Sequence, residues 1–330
     1  MVNNRLNNKL NILVTGGAGY VGSVLVQNLL DAQLVDKVYV IDNLLYKQES
    51  FLHFFKYFKN NNYEFIYGDV RDSALLEKYC AKVDVIIPLA AIVGFPACDK
   101  DKLLSSQVNY EHVKKISEIA SEDQLIIYPN TNSGYGVGNA DEFCTEETLL
   151  NPISHYGRTK CDAEKAVLDS QKGLSLRLAT VFGASARMRI DLLVNDFVYK
   201  ACVDKCIVLF EHTFKRNFIH VSDVAGAFVH FIRENYFSHG YGRGEAFNVG
   251  LSSANLTKLQ LCEKIKNRLP NFEIKTAEFA SDPDKRDYIV SNKKLESLGW
   301  TAHSSIEDGI EELISLYSAL KNINTSYTNL

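Results

Sequence analysis

Short apolar runs rich in β-branched residues recur through the first half of the chain and alternate with segments of helical spacing. The runs lie at residues 10–15, 37–41, 64–67, 83–87 and 125–128. Helical spacing of apolar positions is clearest at residues 20–33, 103–121 and 158–171. Because parallel strands need a crossover between them, usually a helix, this alternation predicts βαβ units on a parallel sheet, an α/β fold.

The second half of the chain is less regular. Residues 174–182 predict one more strand that extends the sheet, and residues 256–269 predict an amphipathic helix. From about residue 184 onward, basic residues, loops and short apolar runs mix. This change of pattern predicts a smaller second lobe towards the C-terminus.

Composition narrows the classes of protein. The 330 residues carry a formal net charge of -4, which argues against a nucleic-acid partner held by bulk electrostatics. No window approaches the roughly 18 apolar residues of a membrane span, and the N-terminus lacks the apolar core of a secretory signal. The seven cysteines are scattered, without Cys-x-x-Cys pairs or Cys/His clusters. We therefore expect a cytoplasmic protein with reduced thiols and no metal site.

A glycine turn follows the first predicted strand, in "TGGAGYVG" at residues 15–22. Gly16 permits a tight turn, Gly19 lets the backbone approach a pyrophosphate, and Gly22 lets the helix pack on the strand. Asp42 ends the second strand, where a carboxylate accepts hydrogen bonds from an adenosine ribose and repels a 2′-phosphate. This pattern predicts NAD rather than NADP, the alternative for Asp42 being a turn-forming role.

The same pattern extends to the third strand and sets the domain division. Asp69, in "GDVRD", predicts an adenine contact, with helix capping as the alternative. Residues 1–180 are predicted to form an NAD-binding Rossmann-type doubly wound sheet, to which the chain returns at about 215–250. Residues 181–330 are predicted to form mainly a smaller C-terminal substrate-binding lobe.

A tyrosine and a lysine in "HYGRTK" carry the candidate chemistry. Tyr156 and Lys160 are four residues apart, so both project from one face of a helix. A neighbouring ammonium and an oxidised nicotinamide can lower the pKa of a phenol from about 10 towards neutrality, which makes it a general base. Thr131 ends the strand before "NSGYG" and is predicted to hydrogen-bond the oxygen that Tyr156 deprotonates. The alternative for the tyrosine and lysine is an ordinary surface pair.

These motifs together resemble one family. "TGGAGYVG", "IDN", "GDVRD", "LAA", "NSGYG", "YGRTK", "RNFIHVSDVA", "FNVG" and "KLESLGW" are similar to the extended short-chain dehydrogenase/reductases that act on nucleotide-diphosphate sugars, the epimerase/dehydratase group. The resemblance implies that Tyr156 is the base, that Lys160 binds the nicotinamide ribose, and that Asn109 supports the lysine. It implies oxidation at carbon 4 of the sugar, with hydride transfer to NAD.

Two sets of binding residues follow from the motifs and the resemblance. The cofactor set is Gly16, Gly19, Tyr20, Val21, Gly22, Asp42, Asn43, Asp69, Val70, Leu89, Ala90, Ala91, Asn109, Tyr156 and Lys160. The substrate set is Thr131, Asn132, Ser133, Thr180, Arg187, Arg189, Arg216 and Arg286. The arginines are included because a guanidinium suits a diphosphate, and Arg216 and Arg286 match family positions. Their alternative is a solvated surface role.

The triplet Thr131-Asn132-Ser133 bears on the reaction. The family's 4,6-dehydratases carry Thr-Asp-Glu there, and an amide and a hydroxyl cannot replace those carboxylates in acid/base work. Release of the 4-keto sugar is therefore favoured, with 4-epimerisation as the alternative. A 4,6-dehydratase and a non-catalytic NAD-binding regulator are further, less favoured alternatives. "PLAAIVGFPAC" and "YPNTNSGYGVG" resemble a bacterial capsule-sugar branch that handles GDP-linked manno-heptose. The predicted helices at 103–121 and 158–171 resemble subunit-pairing helices, which implies a homodimer, with a tetramer as the alternative.

Overall fold

The central element is a parallel sheet, seen in a computed structural model that describes residues 9–138, 142–238, 240–277, 286–320 and 328. The strands are β1 (Leu10–Thr15), β2 (Val35–Asp42), β3 (Tyr63–Tyr67), β4 (Val85–Pro88), β5 (Leu125–Thr131), β6 (Phe143–Cys144), β7 (Gly173–Leu178), β8 (Thr180–Phe182), β9 (Cys206–Leu209), β10 (Lys215–His220), β11 (Ala246–Val249), β12 (Asn255–Thr257), β13 (Glu273–Thr276) and β14 (Ile289–Val290). Within these residues, seven strands pair in the order β11-β7-β5-β4-β1-β2-β3. The predicted doubly wound α/β fold is confirmed.

Helices cover both faces of this sheet. They are α1 (Tyr20–Asp31), α2 (Phe55–Phe58), α3 (Ser73–Cys80), α4 (Phe95–Lys100), α5 (Lys102–Ser106), α6 (His112–Ile119), α7 (His155–Asp169), α8 (Leu193–Val203), α9 (Val221–Phe237), α10 (Lys258–Arg268), α11 (Lys293–Ser297) and α12 (Ile306–Ala319). Alternate β1 residues face opposite ways: Ile12 and Val14 pack with α1 and α9, whereas Leu13 packs with α3, α6 and α7. Both faces are therefore apolar, as a parallel sheet requires. Among the described helices none is long and apolar enough to cross a membrane.

The predicted strand at 174–182 divides into two. β7 pairs with β5 and β11 in the central sheet, while β8 pairs with β10 in a second sheet of order β12-β10-β8. Only Ala179 separates them, and its N–H still donates to the Val249 carbonyl oxygen at 2.9 Å. The sequence of residues 174–182 does not reveal this exchange, because strand pairing is decided by residues far away in the chain.

Two predicted helices also differ in detail. The helix at 103–121 is interrupted by a π turn at Gln107–Glu111 between α5 and α6. The helix at 256–269 begins at Lys258, because Thr257 caps it by accepting from the Gln260 N–H at 3.0 Å. A π turn places one extra residue in the helix, and no hydrophobic spacing predicts that.

A second apolar core lies beyond β8. It joins α8, α10 and α12 around large buried residues, including Phe182, Phe218 and Phe272. The chain also returns to the main sheet, where β11 forms the edge strand and α9 packs on α1. The division into a cofactor domain and a substrate lobe stays a prediction, but residues 183–193 link the two cores and bring polar side chains towards the sheet.

Candidate active site

A cavity of about 740 Å³ opens beyond the carboxyl ends of the central strands. The strand order reverses between β1 and β4, so the loops that leave these strands diverge and expose a crevice. The wall includes the turn after β1, the ends of β2 and β5, the start of α7 and the segment after β8. One crevice thus collects residues from both halves of the chain.

The glycine turn forms one end of the cavity. Gly16 has φ +70°, and a Cβ on it would lie 2.6 Å from the Ala90 nitrogen. A Cβ on Gly22 would lie 2.4 Å from the Gly16 carbonyl oxygen. Helix α1 begins after Gly19, which makes no side-chain cap, so its first backbone N–H groups are left to a ligand. This cradle fits a dinucleotide pyrophosphate.

Asp42 lies beside this turn, at the end of β2. Its Oδ2 accepts from the Ala18 N–H at 3.0 Å and its Oδ1 from the Leu44 N–H at 2.8 Å. Burial raises the pKa of Asp42, and the two backbone donors oppose that rise. The carboxylate therefore both shapes the turn and lines the cavity, where it can accept from a ribose hydroxyl.

Asp69 forms an ion pair with Arg71 in the loop after β3. The Arg71 Nη2 lies 2.8 Å from Asp69 Oδ2, and this hydrogen bond lowers the pKa of the carboxyl. The capping role falls to Asp72, which accepts from the Leu75 N–H at 3.1 Å at the start of α3. Other predicted cofactor residues on the same wall are Gly19, Tyr20, Val21, Asn43, Val70, Leu89, Ala90 and Ala91.

Tyr156 and Lys160 lie in the first turns of α7, which Ser154 caps by accepting from the Gly157 N–H at 3.1 Å. Both side chains line the cavity. The Lys160 Nζ lies 4.2 Å from the centre of the Tyr128 ring, beneath α7. The structure therefore brings the predicted base and its lysine to the same wall.

The protonation of this pair is set by burial. Burial raises the pKa of Tyr156 to about 12, an effect that the charges of Arg286 and Arg189 oppose. Burial likewise lowers the pKa of Lys160 to about 7. Burial thus disfavours the charged form of each group, so that Tyr156 is neutral near pH 7 while Lys160 is divided about equally between its charged and neutral forms. The sequence predicted that the pKa of Tyr156 is lowered towards neutrality. In this cavity, such a lowering requires positive charge beyond that of the protein's own side chains.

Thr131 and Ser133 stand on the same wall, at the end of β5. The Thr131 hydroxyl donates to the Ser133 hydroxyl at 2.9 Å and accepts from the Ser133 N–H at 3.1 Å. The Arg286 guanidinium donates to the Ser133 hydroxyl. Arg286 also lines the cavity, so the loop after β5 and this arginine meet opposite α7.

Three predicted site residues do not line the cavity that the described residues form. Asn109 lies in the π turn, accepts from the Ile92 N–H at 2.8 Å and donates to the Thr159 hydroxyl at 3.4 Å. Asn109 therefore contacts Thr159, the residue before Lys160, and its predicted support for Lys160 stays a prediction. Asn132 is buried in the turn after β5. Arg216 lies behind the wall, its guanidinium 5.5 Å from the centre of the Tyr288 ring.

The segment after β8 contributes Thr180, Arg187 and Arg189 to the wall. Both arginines are buried, at 3% and 8% exposure, which contradicts the alternative of solvated surface residues. Arg189 pairs with Asp191, and the Asn195 amide donates to the Arg189 carbonyl oxygen at 2.9 Å. Arg187 lies over the Tyr46 ring, 4.6 Å from its centre.

A buried charged network behind the site was absent from the sequence predictions. Glu164, two turns beyond Tyr156 on α7, pairs with Arg177 of β7 at 2.8 Å. Glu164 also accepts from Asn130 at 2.7 Å, and Arg177 donates to the Tyr135 hydroxyl at 3.1 Å. These bonds tie α7 to the strand that ends in Thr131. The four-residue spacing from Lys160 places Glu164 on the same face of α7, but it does not identify Arg177 as the partner.

Sequence comparison relates this chain to known proteins. The model of the NAD dependent epimerase/dehydratase family matches residues 12–250. The low-salt glycan biosynthesis protein Agl12 of Haloferax volcanii is 28% identical over 318 residues, covering 93% of this chain and 98% of that protein.

Solved structures share the fold. The dTDP-glucose 4,6-dehydratase of Bacillus anthracis, in complex with NAD, has a TM-score of 0.77 at 24% identity, covering 97% of this chain and 98% of that one. The UDP-glucose 4-epimerase of Thermotoga maritima, with UDP-glucose, has a TM-score of 0.78 at 24% identity, covering 94% and 99%. With a family match over most of its length and a glycine cradle that suits the cofactor, this chain belongs to the NAD dependent epimerase/dehydratase family.

Proposed function

We propose that this enzyme oxidises carbon 4 of a nucleotide-diphosphate sugar, with GDP-manno-heptose as the substrate and its 4-keto form as the product. Its motifs resemble those of bacterial GDP-D-glycero-D-manno-heptose 4-dehydrogenase, an enzyme of capsule-sugar biosynthesis. The observation that carries the proposal is the meeting of Thr131, Tyr156 and Lys160 with the glycine turn in one cavity. The catalytic and binding roles given below belong to this proposal.

Tyr156 acts as the base that removes the proton of the sugar 4-hydroxyl. NAD, when bound, supplies the acceptor for the hydride of carbon 4. Because burial raises the pKa of Tyr156 to about 12, cationic groups around the phenol are needed to stabilise its anion. Arg286 and Arg189 are such groups within the chain, the protonated form of Lys160 is a third, and Thr131 orients the reacting hydroxyl.

The carboxylates on the wall support oxidation without loss of water. The described residues of the wall include four of them, and each is already bonded: Asp42 to backbone amides, Asp69 to Arg71, Asp191 to Arg189 and Asp196 to Lys200. Elimination across carbons 5 and 6 needs an acid and a base beside those carbons. Ser133 supplies neither, since its hydroxyl already bonds Thr131 and Arg286.

A 4-epimerase is the second candidate. It uses the same base and the same first oxidation, and then returns the hydride to the other face of the sugar. The Thermotoga relative bears that activity in its name. The two outcomes differ in whether the 4-keto sugar leaves the cavity before reduction.

The sugar nucleotide itself lies beyond the cofactor, towards the second core. We assign Thr180, Arg189 and Arg286 to its diphosphate and ribose, because they line that part of the cavity. Arg216 supports this wall from behind through the Tyr288 ring. A guanine base is the proposed specificity, on the motif resemblance, although the Thermotoga structure holds UDP-glucose.

The product reveals the reaction. The NAD-loaded enzyme is incubated with GDP-manno-heptose, GDP-mannose and UDP-glucose, while reduced-nicotinamide absorbance and product mass are followed. Loss of two hydrogens identifies the dehydrogenase, whereas an unchanged mass with inverted carbon 4 identifies the epimerase. Loss of water would contradict both.

Matched tyrosine variants test the base. Tyr156→Phe is expected to lower turnover by about a hundred- to ten-thousand-fold. Tyr67→Phe changes a phenol that is 74% exposed and outside the cavity, so its turnover should equal that of the wild type. Unchanged turnover in Tyr156→Phe would remove the proposed mechanism.

We also propose a homodimer paired through α5–α6 and α7. Leu103, at the start of this helical face, is 70% exposed in the single chain. Exposed apolar side chains can mark surfaces that a partner covers, and a second subunit would bury this one. Sedimentation should report a mass of two chains, and a monomer at every concentration would refute the pairing.

A further inference from the structure

A segment of the second lobe lies against the first turn of α1. The Ser185 hydroxyl donates to the Tyr20 carbonyl oxygen at 2.7 Å and lies 2.8 Å from the Ser23 hydroxyl. The Tyr20 hydroxyl donates to the Gly183 carbonyl oxygen at 2.7 Å. Residues 183–185 are therefore fixed beside the helix N-terminus, whose free backbone N–H groups attract anions.

Arg187 follows two residues after this anchor and extends over the loop beyond β2. Its guanidinium carbon lies 4.6 Å from the centre of the Tyr46 ring, and Tyr46 is four residues beyond Asp42. Arg187 and Asp42 attract each other electrostatically. The guanidinium is thus between the start of α1 and the end of β2, on the side of the cavity where the cofactor binds.

This guanidinium has a donor that no protein group satisfies. Arg187 is 3% exposed, and its Nη2 is buried without a hydrogen-bond partner in the part of the chain that the structure describes. Its neighbour Arg189, by contrast, is paired with Asp191. A buried guanidinium is stabilised when its donors meet an anion, and a diphosphate matches its planar fork.

We propose that Arg187 binds the pyrophosphate of NAD, from the side opposite the glycine turn, and that Tyr46 holds its guanidinium in place. The assignment of Arg187 to the sugar nucleotide, made on its sequence position alone, is thereby replaced. The segment that carries Arg187 belongs to the second lobe, so the cofactor contacts both lobes of the protein.

Binding measurements on ligand fragments test this assignment. Calorimetry is carried out with NAD, ADP-ribose and adenosine on the wild type, Arg187→Met, Arg187→Lys and the exposed control Arg233→Met. Arg187→Met should weaken NAD and ADP-ribose by about ten- to a hundred-fold, because a charge-assisted hydrogen bond is lost, and leave adenosine unchanged. Arg187→Lys should recover part of the loss, and Arg233→Met should bind all three like the wild type.

The other outcomes overturn the proposal. Unchanged affinity for NAD and ADP-ribose would do so, as would an equal loss for adenosine, which would mean that Arg187 only packs against the nucleoside. GDP is titrated in the same way as a further ligand, and a loss of GDP affinity in Arg187→Met with normal NAD affinity would return Arg187 to the sugar nucleotide. If Arg187→Met fails to fold, Arg187→Lys alone decides by the same ligand comparison. None of these results depends on turnover, so they are independent of the proposed reaction.

Discussion

At the scale of single residues, the site is defined by two groups whose charged forms burial disfavours. Burial raises the pKa of Tyr156 to about 12 and lowers that of Lys160 to about 7. Burial of these two ionisable groups therefore costs the ligand-free protein stability, and we expect a charged ligand in the cavity to reduce that cost. The sequence could name these residues from their spacing. It could not give their burial, on which their pKa values depend.

Lys160 is expected to cost stability, and the sign follows from its pKa. The folded value of about 7 lies below the ordinary 10.5, so the unfolded chain binds more protons between these values. Stability from this group therefore rises with pH across that window. Lys160→Met should raise the melting temperature of the cofactor-free protein by about 2–5 °C near pH 6, and by less towards pH 10.

Thermal melts at several pH values check this expectation. Lys165→Met is the control, because Lys165 is on the same helix but forms an exposed pair with Asp169. Its melting temperature should follow that of the wild type at each pH. A Lys160→Met protein less stable than the wild type near pH 6 would contradict the account, whatever its activity.

At the scale of elements, two close contacts hold the turn and the catalytic helix. Gly22 lets α1 approach the Gly16 carbonyl, and the Glu164–Arg177 pair joins α7 to β7. The sequence could predict the close approach at the turn after β1, because only glycine fits at Gly16 and Gly22. The ion pair was not, since its partners lie 13 residues apart on different elements and no local pattern links them.

Two glycine substitutions should have opposite effects. A Cβ at position 22 would meet backbone at 2.4 Å, so Gly22→Ala should lower the free energy of unfolding by about 1–3 kcal/mol and weaken NAD binding. A Cβ at position 226, within α9, meets its nearest atom at 3.9 Å. Gly226→Ala should therefore stabilise by up to about 1 kcal/mol. Urea unfolding measures both, and destabilisation of equal size in the two variants would be inconsistent with the close approach of α1 to the glycine turn.

Breaking the buried pair should cost more than breaking an exposed one. Arg177→Met leaves the Glu164 carboxylate buried and unpaired, so the free energy of unfolding should fall by about 3–5 kcal/mol. Asp169→Asn removes an exposed pair on the same helix and should change it by less than about 0.5 kcal/mol. Equal effects in urea titrations would show that the network does not fasten α7.

At the scale of the whole molecule, the parallel sheet was predictable, but the path of the chain after the sheet's sixth predicted strand was not. Alternating runs from residue 10 to 128 encode buried strands separated by helices, and the structure forms them. After residue 178 the chain passes between sheets, with β8 and β10 in one and β11 in another. Pairing between strands far apart in the chain decides that path. The local spacing of apolar residues does not predict this path.

Site residues that are close together in the sequence were predictable, whereas the positions of residues far apart in the sequence were not. Residues in one motif, such as Tyr156 and Lys160, were predicted together and lie together on the wall. The arginines were predicted from their charge and, for Arg216 and Arg286, from the family resemblance. The structure places Arg187, Arg189 and Arg286 on the wall and Arg216 behind it. Charge indicates an anionic ligand, but only the fold shows which arginine meets it.

The proposed function depends on the transfer of a hydride from carbon 4 of a sugar nucleotide to NAD. One turnover of NAD-loaded enzyme with GDP-manno-heptose deuterated at carbon 4, quenched and analysed by mass spectrometry, tests it directly. We expect deuterium in the reduced cofactor of the wild type and none in that of Tyr156→Phe. Product that forms with all of its deuterium still on carbon 4, and a cofactor without label throughout, would contradict the account.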